Sequence, residues 1–326
     1  MTSAPAPVLV LRALGLGDLL TATPALRGLR SAYPGRPIVL ATPSELAGLA
    51  GLTGAVDTVL PTAELAPLRW PGPRPRVAVN LHGSGPESHR LLLAVRPSAL
   101  MAFRHPEVPE ATGPEWAPGE HEVRRWCGLL ATHGVPADPA DLELAPPTLP
   151  APGLAGAVVV HPGAKHGSRR WPAERFAAVA GALAARGWHV VVTGSGQERG
   201  LAHRVAAAAG LPSASVLAGA FPVLGLAGLV AHASLLVSGD TGIAHLATAV
   251  RTPSVVLFGP ATPARWGPPP DRPGHVALWH GRGVGDLFAS APDPALLAIT
   301  ADEVLAAADR ALEHGPVRRS SVSSLG

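Results

Sequence analysis

Several short segments of this chain combine glycines with side chains suited to holding phosphate or moving a proton. The segment Ser238-Gly239-Asp240-Thr241-Gly242-Ile243-Ala244-His245-Leu246-Ala247 follows the apolar run Ser234-Leu235-Leu236-Val237 and opens an Ala- and Leu-rich helical pattern reaching about Val250. A strand-to-helix turn suits phosphate, because backbone N–H groups and the positive end of the helix dipole converge there. Gly239 and Gly242 let a ligand approach the backbone closely, and Thr241 offers a hydroxyl. His245 lies four residues beyond Thr241, on the same side of a helix. The competing reading is an Asp-capped helix whose glycines serve packing.

Two further segments point to an anion. His161-Pro162-Gly163-Ala164-Lys165-His166-Gly167-Ser168-Arg169-Arg170-Trp171-Pro172 collects three cations, two histidines and a hydroxyl between a strand and a helix. Such a loop neutralises a diphosphate, with arginine favoured for bidentate contacts; the alternative is a solvated basic loop. Thr193-Gly194-Ser195-Gly196-Gln197-Glu198 is a second glycine-rich strand end. Its Glu198 suits the hydroxyls of a ribose, or simply the first turn of a helix. Near the start, Gly15-Leu16-Gly17-Asp18 suggests a dinucleotide fingerprint, but Leu20 stands where the third glycine belongs. A carboxylate at Asp18 would repel a pyrophosphate on the same turn and suits a general base that deprotonates a hydroxyl. Capping of the helix that follows is compatible with that role.

What is missing narrows the chemistry. The chain has no Gly-x-x-x-x-Gly-Lys-Ser/Thr loop, which disfavours an ATPase, and no Gly-x-Ser-x-Gly elbow, which disfavours an α/β-hydrolase. Its histidines and single cysteine, Cys127, show no zinc spacing. No Asp-x-Asp pair is available to hold a divalent metal on a diphosphate. Charge on a departing diphosphate then falls to arginine, lysine and a helix N-terminus.

These loops need a frame, and the rest of the chain supplies one. Short apolar runs at 8–11, 37–41, 56–60, 77–81 and 99–103 alternate with helical patterns at 19–31, 44–52, 89–95 and 120–133. After a segment with four prolines in nine residues, 145–153, the pattern restarts. Strands are expected at 157–160, 188–192, 215–217, 234–237 and 254–258, and helices at 172–186, 197–209, 222–232 and 302–313, while 260–282 reads as loop. This alternation predicts α/β architecture with two doubly wound Rossmann-like domains facing across a cleft. The boundaries fall at 1–145, a Pro-rich linker at 146–156 expected to be extended and poor in contacts, a second domain at 157–315, and a disordered tail at 316–326. Every candidate loop then lies at a strand's carboxyl end, where such sheets bind ligands.

Composition is consistent with this frame. With 326 residues, 47% hydrophobic and 15% charged, the chain is sized for two domains with ample cores. A net charge of +3, with no basic run longer than a pair such as Arg318-Arg319, argues against a nucleic-acid partner. A single cysteine excludes an internal disulfide framework and fits a reducing, cytoplasmic setting. The first residues predict no signal peptide. Residues 205–239 lack Asp, Glu, Lys and Arg, but their glycines and prolines make buried α/β elements a better reading than a membrane span.

Taken in order, these motifs resemble the heptosyltransferase family, glycosyltransferase family nine, of GT-B fold. The likeness runs from about Val8 to Glu313 through Gly15-Leu16-Gly17-Asp18-Leu19-Leu20, Val79-Asn80-Leu81-His82-Gly83, His161-Pro162-Gly163, Arg169-Arg170-Trp171-Pro172, Gly194-Ser195, Leu217-Ala218-Gly219, the 238–247 segment and Phe258-Gly259-Pro260. The resemblance implies an inverting, metal-independent transfer from a nucleotide-diphosphate sugar to an acceptor hydroxyl of a glycan, glycolipid or small molecule, with no cofactor. By the same analogy Asp18 is the base. Lys165, Ser168, Arg169, Thr193, Gly194, Glu198, Asp240, Thr241, Gly242 and His245 form the donor side, and Gly17, His82 and Gly83 the acceptor side. Arg169 stands where members of the family often carry a phosphate-binding lysine. The expected setting is cytoplasmic, with room for peripheral contact at the inner face of a membrane. The competing functions are a nucleotide-sugar epimerase of related fold and a non-catalytic nucleotide-sugar-binding protein.

Overall fold

The structure is a computed structural model that describes residues 5–315. The expected tail at 316–326, including Arg318 and Arg319, lies outside the described residues. The chain divides into two compact units, 1–144 and 145–326.

In the first unit the order is β1 (Val8–Leu11), α1 (Leu16–Thr21), α2 (Thr23–Ala32), β2 (Ile38–Thr42), α3 (Ala47–Leu52), β3 (Thr58–Pro61), β4 (Val77–Asn80), α4 (Glu87–Ala94), β5 (Leu100–Met101) and α5 (Glu122–Thr132). The strands form one sheet of order β3-β2-β1-β4-β5, and every pairing is parallel. All four residues of β1 are buried, as a central strand covered on both faces requires. The single helix expected at 19–31 is two helices. The first starts earlier, at Leu16, and the break at Ala22 comes just before Pro24, which lacks the N–H that a continuous helix would need. Gly17 and Asp18 therefore belong to α1 and not to a turn before it.

The second unit runs β6 (Val158–His161), α6 (Ala173–Ala185), β7 (Val190–Val192), α7 (Arg199–Ala208), α8 (Val223–Ala231), β8 (Leu235–Gly239), α9 (Gly242–Ala249), β9 (Ser254–Leu257), α10 (Pro263–Trp266), β10 (His275–Leu278), α11 (Pro294–Ala298) and α12 (Ala301–Glu313). Its sheet order is β10-β9-β8-β6-β7, again wholly parallel. A core of Val158, Val160, Phe176, Leu183, Val190, Leu235, Val237, Val255 and Leu257 packs the sheet against its helices.

Three local expectations are corrected. The strand expected at 215–217 is reduced to a parallel bridge of Val216 with Val192 after a short 3-10 turn, Ser213–Ser215. The loop expected at 260–282 contains α10 and the edge strand β10, whose residues are only half-buried and lack the continuous apolar run of a central strand. The Pro-rich segment is not poor in contacts. A Cβ on Gly228 would stand 2.0 Å from the carbonyl oxygen of Thr148, so the segment lies directly on α8.

In both sheets the strand order reverses at one place, between β1 and β4 in the first unit and between β6 and β8 in the second. Loops leaving the carboxyl ends of such a pair diverge and open a crevice, the usual ligand site of this architecture.

Candidate functional site

At the first reversal, Arg12 follows β1 directly and Leu81 and His82 follow β4. Asp18 stands at the third position of α1, where its Oδ2 accepts from the N–H of Gly15 at 3.2 Å. That contact satisfies a free donor of the helix start and places the carboxylate in the favourable field of the helix dipole. The other carboxylate oxygen is held by Arg12, whose Nη2 lies 3.3 Å from Asp18 Oδ1 and whose Nε donates to the Asp18 carbonyl at 2.8 Å. Arg12 is fully buried, whereas the Asp18 side chain keeps 29% of its surface exposed. A carboxylate fixed at both oxygens and still open on one side can accept a proton from an incoming hydroxyl.

His82 completes this corner. Its backbone N–H donates to Asn80 Oδ1 at 2.9 Å, and its Nδ1 is buried without a hydrogen-bond partner. Burial and then the Arg12 charge hold the imidazole below its ordinary pKa, against the opposing pull of Asp18 and Glu64. His82 is thus neutral at pH 7. Gly83 is half-buried beside it, and Gly17 lies half-buried within α1.

Arg12 ties this corner together. Its guanidinium also donates to Thr21 Oγ1 at 3.2 Å, to Glu122 Oε1 at 3.0 Å and to the Leu81 carbonyl, and it lies 4.7 Å from the Trp126 ring centroid. A charged residue ending a fully buried strand must find partners, and that was the available signal.

At the second reversal, β8 ends in Ser238 and Gly239, and Thr241 is the N-cap of α9. Four side-chain atoms here are buried without a hydrogen-bond partner: Ser238 Oγ, Asp240 Oδ2, Thr241 Oγ1 and Arg169 Nε. Burying unpartnered polar atoms costs free energy, and native proteins rarely do it without a reason such as a ligand. Arg169 Nη1 approaches Asp240 Oδ2 at 3.7 Å, ion-pair range but too long for a hydrogen bond. Burial raises Asp240 to about 6, although Arg169 pulls the other way. His245, half-buried on α9, meets Trp266 edge-to-face at 5.9 Å between ring centroids.

Gly239 has a different use from the one expected. A Cβ there would sit 3.1 Å from the Arg169 carbonyl oxygen, so the glycine lets the Arg169 backbone pass close. Ser168 is also placed otherwise: its hydroxyl donates to the Leu287 carbonyl at 2.9 Å and its N–H to Ala289 at 2.8 Å, pinning the Arg169 loop. Lys165 is exposed on the same loop.

The third group gathers at β6 and β7. Thr193 Oγ1 pairs with His161 Nδ1 at 2.9 Å. Burial lowers His161, opposed by the Glu198 charge, so it adds no positive charge to the loop at neutral pH. Glu198 Oε2 accepts from the Ser195 N–H at 2.8 Å as a helix cap. A Cβ on Gly163 would lie 2.2 Å from Glu198 Oε1, so this carboxylate rests against the bare backbone of the anion loop. Gly194 accepts from the Gly219 N–H at 2.9 Å, which keeps the two loops together. Among the described residues, no group of three or more His, Cys, Asp or Glu side chains is placed to hold a metal ion.

Two Rossmann-like units, each with polar side chains gathered at its strand reversal, define the two-unit α/β fold seen in solved sugar-nucleotide glycosyltransferases. The structure of ADP-heptose lipopolysaccharide heptosyltransferase II from E. coli matches with a TM-score of 0.74 at 20% identity, over 94% of this chain and 98% of that one. The iron-containing dodecameric glycosyltransferase TibC of enterotoxigenic E. coli H10407 matches with a TM-score of 0.62 at 18% identity, over 94% of this chain and 78% of that one. The family model for glycosyltransferase family 9 (heptosyltransferase) matches residues 115–282, and the chain belongs to that family. Lipopolysaccharide heptosyltransferase 3 of Escherichia coli is 38% identical over 115 residues, 34% of this chain, and the match spans 33% of that relative's length.

Proposed function

We propose that this protein transfers a sugar from a nucleoside-diphosphate sugar to an acceptor hydroxyl, with inversion at the anomeric carbon and without a metal ion. The observation that carries the reading is the set of four buried, unpartnered polar atoms around the N-terminus of α9. An anionic diphosphate matches them: it accepts from Ser238 Oγ, Thr241 Oγ1 and Arg169, and it faces the positive end of a helix. The mixed position of Asp240 also fits. Once protonated, this carboxyl donates to a phosphate or sugar oxygen; ionised, it accepts from a sugar hydroxyl.

In this reading Glu198 takes the ribose hydroxyls and Asp18 is the base. As the acceptor oxygen forms its bond to the anomeric carbon, its proton passes to Asp18. The bond from that carbon to the diphosphate breaks, and the diphosphate leaves with the electron pair. Arg169 and the α9 N-terminus then take up the charge that a metal takes up elsewhere. His82 lines the acceptor side as a neutral imidazole. The relatives named above make ADP-heptose the first donor to test, and a glycan or glycolipid the first acceptor class. Among the described residues no helix is long and apolar enough to cross a membrane, so contact with a lipid-linked acceptor is proposed as peripheral.

The test is a thermal-shift screen of the full chain against ADP-, GDP-, UDP- and dTDP-sugars in EDTA, followed by transfer assays with the stabilising donor. A ligand at 100–1,000 times its dissociation constant stabilises by roughly 3–4 kcal/mol, a clear rise in melting temperature. The expected result is stabilisation by one nucleotide class with EDTA present. Strict dependence on added metal removes the metal-independent part of the reading. Isomerised donor without acceptor dependence replaces transferase with epimerase.

A further inference from the structure

Glu122 has no part in the reaction just proposed, yet it shares a guanidinium with Asp18. It is the first residue of α5, buried within the first unit. Its Oε1 accepts from Arg12 Nη2 at 3.0 Å and from Trp126 Nε1 at 2.9 Å, and its Oε2 accepts from Arg125 Nε at 3.2 Å. Arg125 is itself committed, donating to the carbonyls of Ala117 and Glu120 and stacking 3.9 Å from the Trp116 ring centroid. Burial alone would push Glu122 upward, but the charge and hydrogen bond of Arg12, then Arg125 and Trp126, bring it below the ordinary carboxylate range, so it is anionic.

The same nitrogen of Arg12 serves two carboxylates, Glu122 at 3.0 Å and Asp18 at 3.3 Å. This matters because a buried guanidinium bonded to a carboxylate stabilises the anion and makes it a poorer base. Unshared, Arg12 would orient Asp18 and at the same time deprive it of basicity. We infer that Glu122 is a positioning residue that works through Arg12, taking up the guanidinium's charge so that Arg12 can orient Asp18 and leave it able to accept a proton. The inference rests on the reading of Asp18 as the base. The charged and titratable groups facing this corner are Arg12 at the end of β1, Asp18 on α1, Glu64 after β3, His82 after β4, and Glu122 and Arg125 on α5. Replacing Glu122 by a neutral isostere leaves the Arg12 charge on Asp18 undivided and Arg125 without its carboxylate partner.

The experiment is an NMR titration of the full chain that follows the Asp18 carboxyl carbon and the His82 ring, assigned by difference from Asp18→Asn and His82→Gln. In Glu122→Gln the Asp18 midpoint falls by about one pH unit and the His82 midpoint falls with it. Glu122→Asp, which keeps the charge, restores most of both. Arg12→Gln moves Asp18 the opposite way, upward, and carries the test if Glu122→Gln does not fold. Midpoints in Glu122→Gln that match the unsubstituted protein, or an Asp18 midpoint that does not rise in Arg12→Gln, overturn the inference. Failure of the base reading shows separately, as sugar transfer that survives Asp18→Asn.

Discussion

Arg169 and Asp240 face each other at 3.7 Å across the carboxyl end of β8, yet Arg169 Nε and Asp240 Oδ2 are both left without a hydrogen bond. An ion pair that only needed to stabilise the fold would close to about 2.8 Å. The open geometry leaves donors and acceptors free for a third party.

Arg169→Ala removes the cation beside the α9 N-terminus. The expected outcome is a loss of nucleoside-diphosphate affinity of roughly tenfold to a hundredfold, in line with about 1.5–3 kcal/mol for a hydrogen bond to a charged group. Calorimetry with the diphosphate and the corresponding nucleoside separates the effect, because the nucleoside loses little. Equal affinity for the diphosphate before and after the change counts against the phosphate role.

Asp240 carries a pH signature. Its folded value, about 6, lies above the ordinary 3.8, so between these values the folded protein binds more protons than the unfolded chain. Stability contributed at this site therefore falls as pH rises from about 4 to 6 and is level above that range. Asp240→Asn removes this slope and raises stability at pH 7 by an amount on the order of 1–3 kcal/mol, seen as a higher melting temperature. Melting curves from pH 4 to 8 check it; a slope that persists in Asp240→Asn refutes the assignment.

Asp18→Asn separates binding from chemistry. Because the donor site is assigned to the second unit and the base to the first, nucleotide affinity should stay within a factor of two or so while transfer falls by about 10²–10⁴-fold, the usual range for a lost general base. Turnover at the original rate removes Asp18 from that role.

Gly163→Ala tests the ribose assignment without touching Glu198. The new methyl would meet Glu198 Oε1 at 2.2 Å and push the carboxylate aside. A nucleoside diphosphate should then lose affinity severalfold, whereas inorganic pyrophosphate, which has no ribose, should bind as before. Parallel loss of both ligands would mean that the anion loop itself had moved.

Much of this was legible in the chain. The buried apolar runs of β1, β4, β6 and β8 and the Gly-rich turns after them announce a doubly wound α/β fold, because a parallel strand covered on both faces has to be apolar along its length. The order of the motifs also indicates the family, since a turn such as 238–242 carries its chemistry in local backbone geometry and sequence neighbours. Local rules fail where elements are half-exposed or interrupted: β10 is a half-buried edge strand without the continuous apolar run of a central one, and Pro24 splits a helix whose apolar period continues across the break.

Other features were decided only by tertiary structure. Arg12 and Glu122 are 110 residues apart in sequence, and nothing near either one predicts that a single guanidinium joins Glu122 to Asp18. Ser168 looks like a phosphate ligand until residues 287–293 fold against it and occupy its hydroxyl. Gly239 looks like an opening for a ligand until the Arg169 backbone passes close to it. The reason is the same in each case. Residue type and local spacing determine what a side chain can offer, but the partner that accepts the offer comes from a distant segment, and only the folded sheets, each with one strand reversal, determine which segments meet.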